Sequence, residues 1–157
     1  HAVEVYNHGC HTLSDRGTGM PILELLLSEG RNLNLIATDD AHFKGPDAFG
    51  GWVMVKAMAN TPEDLLAALK AGQFYASQGP EIHGIWYEGD KIRVKSSAAS
   101  TVIIQGYNNA TMDVCGESLT DTTVELGRLQ DSPWLRVTVI DRASQRAWSN
   151  PFWPSAL

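Results

Sequence analysis

The sequence predicts an α/β segment over residues 1–79 followed by an all-β segment over residues 80–157. Three observations carry that expectation. Apolar runs in the first half alternate between strand-like and helix-like spacing, with short loops between them. Short segments of period two take over after about residue 80. Turns such as Glu88-Gly89-Asp90 and Asn108-Asn109 separate those segments.

The elements follow in order. Residues 2–6 alternate as a strand that Asn7-His8-Gly9 brings to a stop, and residues 11–19 read as a polar loop with Gly17 and Gly19. Pro21 suits the first position of a helix running to about Ser28. Leu23, Leu26 and Leu27 form its i, i+3, i+4 stripe, and Gly30 ends it. Residues 33–38 read as a strand apolar enough to be buried on both faces. Strand, helix and strand joined this closely make the βαβ unit of a parallel sheet or barrel. Residues 52–55 form a third strand. Thr61-Pro62-Glu63-Asp64 is a helix start with a hydroxyl cap, Pro at the first position and acids in the first turn. Leu65, Leu66 and Leu69 are its expected buried stripe, and Gly72 its end. Beyond residue 80, strands are expected at 81–87, 91–95, 101–105, 123–126, 134–140 and 146–149, as an antiparallel β-sandwich.

Composition narrows the function. Eighteen acidic against twelve basic side chains give a formal charge of −6, and no run of Lys and Arg offers a nucleic-acid surface. No apolar run approaches the ~20 residues of a membrane-spanning helix. Two cysteines, Cys10 and Cys115, are too few for a disulfide scaffold. A cytoplasmic, reducing setting is the expectation. The chain opens at His1 within a strand, which reads as a fragment of a longer protein.

Asp39-Asp40-Ala41-His42 directly follows the second strand, where parallel α/β architectures gather functional side chains. In an extended chain, residues i and i+2 face the same way, so Asp40 and His42 converge while Asp39 turns away, to cap the following turn or face a neighbouring element. A carboxylate and an imidazole together suit zinc, manganese or iron. The same triplet also reads as acids capping a turn beside a surface histidine. His8-Gly9-Cys10-His11 follows the first strand, at the same end of the unit. His8, Cys10 and His11 are read as site-adjacent loop residues or as further ligands. Asn7 is read either as a group that positions a ligand or phosphate oxygen, or as a turn former.

Residues 37–42 and 51–57, with residues 65–82, resemble the closing half of PHP-family (polymerase and histidinol phosphatase) metal-dependent phosphoesterases. Val3-Glu4-Val5-Tyr6-Asn7 is similar to a late strand of that family, and residues 147–153 resemble the close of its appended β domain. The resemblance implies the last strands and helices of a (β/α)7 barrel followed by the β-sandwich. It implies divalent metals at the barrel mouth, Asp40 and His42 as two of their ligands, and hydrolysis of phosphomonoesters or diesters by metal-activated water. The family's early H-x-H pair has no counterpart, since His1, His8, His11, His42 and His83 include no such spacing. The chain is therefore expected to be inactive alone. It is expected to bury an exposed barrel edge, carrying Val3, Val5, Leu35 and Ile36, in a homo-oligomer or against a missing N-terminal half. The alternative function is a non-catalytic β-sandwich binding or docking module with a vestigial α/β arm.

Overall fold

The computed structural model describes residues 1–156, in two compact units that divide between Gln78 and Gly79. The first unit contains β1 (Ala2–Asn7), α1 (His8–Ser14), α2 (Met20–Ser28), β2 (Asn34–Thr38), β3 (Trp52–Val55), α3 (Pro62–Lys70) and β4 (Phe74–Ser77). β1 and β2 pair in parallel, whereas β3 and β4 pair antiparallel. The barrel expectation is thereby corrected. Parallel pairing stops after two strands, α3 connects an antiparallel pair, and neither unit closes into a barrel.

The β1–β2 ladder contains a β-bulge between Glu4 and Tyr6, so that Glu4 lies opposite Ile36 and Tyr6 opposite Ala37. The extra residue shifts the inward–outward alternation. Val5 and Tyr6, although adjacent, are both buried. β2 is covered on one face only: Leu35 and Ala37 are buried, and Asn34, Ile36 and Thr38 are half-exposed.

Residues 17–19 turn back along the free edge of β1. Asn7 N–H donates to Gly17 O at 2.9 Å and Gly19 N–H to Val5 O at 3.0 Å, with Thr18 bridging Tyr6. This intramolecular pairing covers part of the edge that sequence reading left bare. It also explains the glycines: a Cβ on Gly19 would stand 2.1 Å from Glu4 O, and one on Gly17 2.4 Å from Asn7 O.

Helix α1 occupies residues assigned to a loop. Asn7 is its N-cap, its side-chain oxygen accepting the Cys10 N–H at 2.8 Å, and Asp15 closes it in the left-handed conformation. α2 buries Leu23 and Leu27 as its spacing requires, and Gly30 ends it with φ +80°. α3 begins at the expected cap, with Thr61 Oγ1 accepting the Asp64 N–H. Its buried residue is Ala68, flanked by half-buried Leu65 and Leu69, while Leu66 is exposed. Positions 65, 68 and 69 share one helical face, and 66 lies off it.

The second unit contains β5 (Ile82–Tyr87), β6 (Lys91–Gly106), β7 (Thr111–Glu125), β8 (Leu135–Ile140) and β9 (Arg146–Ser149). The expected sandwich is replaced by one hydrogen-bonded antiparallel sheet organised on β6. β7 runs along one edge of β6, while β5 and then β8 share the other, and β9 pairs with β8. The segments expected at 91–95 and 101–105 are a single strand, bent by irregularities between Lys95 and Thr101. Most of β7 was not expected, because residues 111–122 lie largely exposed and carry little apolar signal. The core comes from Ile92, Val94, Val102, Ile104, Leu135, Val137 and Val139, with Trp134 and Trp148 also buried.

The covered edge of β1 yields a test. Gly19→Ala forces a methyl group against the Glu4 carbonyl, and unfolding in urea should show a loss of about 1–3 kcal/mol. An unchanged midpoint would mean that residues 17–19 do not pair with β1.

Candidate functional site

The carboxyl ends of β1 and β2 bring one polar cluster together. The bulge at Val5 turns Glu4 and Asn7 to the same side, although residues three apart in a regular strand face opposite ways. The Asn7 amide nitrogen donates to both Glu4 carboxylate oxygens at 3.3 Å and to Asp40 Oδ2 at 3.4 Å. Thr38 Oγ1 donates to Glu4 Oε1 from the neighbouring strand. Asn7 thus caps α1 with its oxygen and bridges two carboxylates with its nitrogen.

Asp40 and His42 meet by a route other than the expected one. Asp40 has φ 51°, so the chain is not extended there and the i, i+2 rule does not operate. His42 Nδ1 instead lies 2.7 Å from the Asp40 main-chain oxygen. A carbonyl oxygen only accepts, so Nδ1 carries the proton and, in the neutral ring, Nε2 keeps the lone pair. Metal-binding histidines are commonly oriented in this way by a backbone carbonyl.

Asp39 does what sequence reading expected of it. Its carboxylate accepts N–H bonds from Phe49 at 2.5 Å and from Gly50 and Gly51 at 2.8 Å. Partial burial opposes its charge, but the amides of Gly50, Phe49 and Gly51 and the nearby His8 outweigh it, so the carboxyl sits below its ordinary value. Asp47 is a second clamp, missed by sequence reading. It is 1% exposed, and its Oδ2 accepts the His42 N–H at 2.9 Å. That amide bond, helped by the amides of Asp47 itself, Phe43 and Lys44, lowers its pKa against the cost of burial. The loop from His42 to Gly51 is therefore pinned at both ends by carboxylates.

His8 and His11 flank Tyr6. The Tyr6 hydroxyl lies 2.9 Å from His8 Nδ1, and the His11 ring centroid is 5.4 Å from the Tyr6 ring. Gly50 lies so close to His8 that a Cβ there would fall 2.1 Å from the ring. Cys10 is a free, half-buried thiol, as Cys115 is a free, exposed one. Sequence reading placed Asn7, His8, Cys10 and His11 near Asp40, and the structure ties Asn7 to it directly. Glu4 and Thr38, which complete the cluster, were not expected. The i, i+3 spacing of Glu4 and Asn7 conceals their common side unless the bulge is known.

No family model, curated protein or solved structure matches the chain. Among the described residues, no group of three or more His, Cys, Asp or Glu side chains is arranged to hold a metal ion. Asp40 and His42 do supply a carboxylate and an oriented imidazole, the donor chemistry of zinc, manganese or iron sites. Two such donors are one short of the three protein ligands usual for a catalytic zinc.

The two clamps predict a pH-dependent loop. Asp39 and Asp47 have lowered folded pKa values, so their contribution is complete above the ordinary carboxylate value near ~3.9 and is lost as pH falls through the lowered values. At neutral pH, Asp39→Ala should raise tryptic cleavage at Lys44 several-fold. In urea unfolding, the stability gap between the variant and the natural sequence should close as pH drops below that range. A gap that does not narrow as pH falls would show that charge is not what holds the loop.

Proposed function

We propose that the chain is the C-terminal part of a metal-dependent phosphoesterase, in which Asp40 and His42 hold a divalent metal. The observation that carries this reading is the hydrogen bond from His42 Nδ1 to the Asp40 carbonyl, which leaves Nε2 as the electron-pair donor of the neutral ring. The ordered resemblance of residues 3–7, 37–42, 51–57 and 65–82 to PHP phosphoesterases supports it. When bound, such a metal supplies an activated water and neutralises charge on the phosphoryl oxygens.

The chain's own residues then have separate tasks. Asp40 offers a carboxylate whose orientation Asn7 restrains, and His42 offers Nε2. Glu4, held by Asn7 and Thr38, adds a second carboxylate to the same cluster. Asp39 and Asp47 hold the loop that carries His42. The remaining ligands come from polypeptide beyond this chain, so the isolated chain should not turn over a phosphodiester.

Titration with Mn²⁺, followed by the loss of the free-ion electron paramagnetic resonance signal, tests the site. Asp40→Ala and His42→Ala should each weaken binding by roughly tenfold or more, with the circular dichroism spectrum unchanged. Equal binding by the natural chain and both variants would reject the assignment. With the same metal, hydrolysis of a generic phosphodiester should not exceed that of metal in buffer. Turnover abolished by Asp40→Ala would reject the need for ligands from elsewhere.

A further inference from the structure

Trp86 is the one tryptophan of five that lies exposed, at 45%, and the phosphoesterase reading gives it no task. It stands near the end of β5, on the sheet face opposite the buried Ile92, Val94 and Val124. Its six-membered ring rests on the backbone of Gly84, two residues earlier on the same face. A Cβ at Gly84 would meet the ring atoms Cη2, Cζ3 and Cζ2 at 2.3, 2.8 and 2.9 Å. Any side chain there would lift the indole. The absence of one at Gly84 seats the ring against the strand, so part of the rotamer entropy that ordering a large side chain costs is already spent on folding.

β6 and β7 continue this face in register. Arg93 lies opposite Trp86 and Lys95 opposite Gly84, and on the next strand Thr123 lies opposite Arg93 and Asp121 opposite Lys95. The Arg93 guanidinium carbon and Lys95 Nζ are 6.0 and 5.9 Å from the indole centroid. Carbon atoms in contact stand ~3.5–4.0 Å apart, so these charged groups border the ring rather than stack on it.

The cations do not make a free positive patch. Arg93 Nε and Nη2 donate to Asp121 at 2.8 and 2.6 Å, Lys95 Nζ lies 3.9 Å from the same carboxylate, and Lys91 Nζ is 3.5 Å from Glu125. A polyanion would meet two carboxylates here, on a chain of formal charge −6. Arg93 keeps N–H groups outside its pair with Asp121, the Asp121 oxygens keep lone pairs, and Thr123 presents an exposed hydroxyl. Donors and acceptors thus stand side by side next to a flat apolar ring. A sugar hydroxyl both donates and accepts, and the C–H groups on one face of a pyranose suit the negative face of an indole. Strands are about 4.8 Å apart, so the row holding Thr123 lies roughly 10 Å from the row holding Trp86, a span longer than one sugar ring.

We propose that the exposed face of β5, β6 and β7 binds a neutral oligosaccharide, with one pyranose stacked on Trp86 and neighbouring hydroxyls held by Arg93, Asp121 and Thr123. The site lies wholly in the second unit and is independent of the metal reading. It binds without making or breaking a bond.

The test titrates the whole chain with cellohexaose, mannohexaose and xylohexaose, read by indole fluorescence and by NMR shifts. At least one of the sugars should shift the Trp86 indole N–H and the amides of Gly84, Arg93 and Thr123, leaving those of β1 and β2 unmoved. For that sugar, Trp86→Ala should weaken binding about tenfold or more, the scale of losing a stacked ring. Trp86→Tyr, which keeps a flat ring, should weaken it only about threefold. Gly84→Val keeps the indole but unseats it, and should also cost about tenfold, with the circular dichroism spectrum unchanged. Affinity should stay within about twofold as salt is raised about tenfold, because the ligand carries no charge. No shift with any of the three sugars, or equal affinity in Trp86→Ala, would overturn the proposal. So would salt-sensitive binding of oligothymidylate that Trp86→Ala abolishes, since the face would then serve nucleic acid. A fall in sedimentation coefficient in Trp86→Ala would also overturn it, by making the face a contact between copies of the chain.

Discussion

One extra residue in the β1–β2 ladder determines which side chains meet at the carboxyl end of that pair. In a regular strand, Glu4 and Asn7 would face opposite sides. The bulge at Val5 brings both to the side occupied by Thr38 and Asp40, while Val5 and Tyr6 turn together into the core. Asn7 then spans the strand end, the first turn of α1 and the Asp40 carboxylate. Residues 17–19 complete the arrangement by pairing with β1 on either side of Tyr6, where only glycine fits at 17 and 19. The polar cluster, the short helix and the covered edge are consequences of one irregularity in pairing.

Charge on the polypeptide backbone organises the adjoining loop. Asp39 and Asp47 each satisfy amide groups that no strand or helix pairs, and their ionisation is favoured by those same amides. This leaves the Asp40 carboxylate and the His42 ring outside the clamps, with the imidazole oriented by the Asp40 carbonyl rather than by the Asp40 carboxylate. Three aspartates within nine residues therefore have two distinct uses: 39 and 47 hold the loop, and 40 faces the cluster.

The second unit depends on the length of β6. A sixteen-residue strand can serve two partners in succession along one edge, β5 at its start and β8 at its end, while β7 follows it along the other. The bend between Lys95 and Thr101 makes this possible without a break in the sheet. Across its exposed face, Arg93 holds Asp121 with two short bonds at 2.8 and 2.6 Å. Asp121 is correspondingly lowered in pKa by that hydrogen bond.

Local signals in the sequence determined the elements that depend on neighbours in the chain. The Thr61 cap, Pro62, Gly30 and the Leu23–Leu27 stripe placed α2 and α3, because capping, fixed φ and helical spacing act within a few residues. The triplet at Asp39, Asp40 and His42 also marked the candidate site, and Asp39 was legible as a cap. The tertiary structure alone decided the rest. Whether β3 and β4 run parallel or antiparallel depends on pairing across twenty residues, and periodicity is the same for either direction. β7 escaped notice because one long polar stretch is held straight by β6 rather than by its own apolar pattern. Glu4 joined the site only through the bulge, and Asp40 met His42 only through a left-handed turn, and neither leaves a spacing that can be read along the chain. Side-chain alternation is a property of regular backbone, so the residues where regularity fails are those whose neighbours only the folded chain reveals.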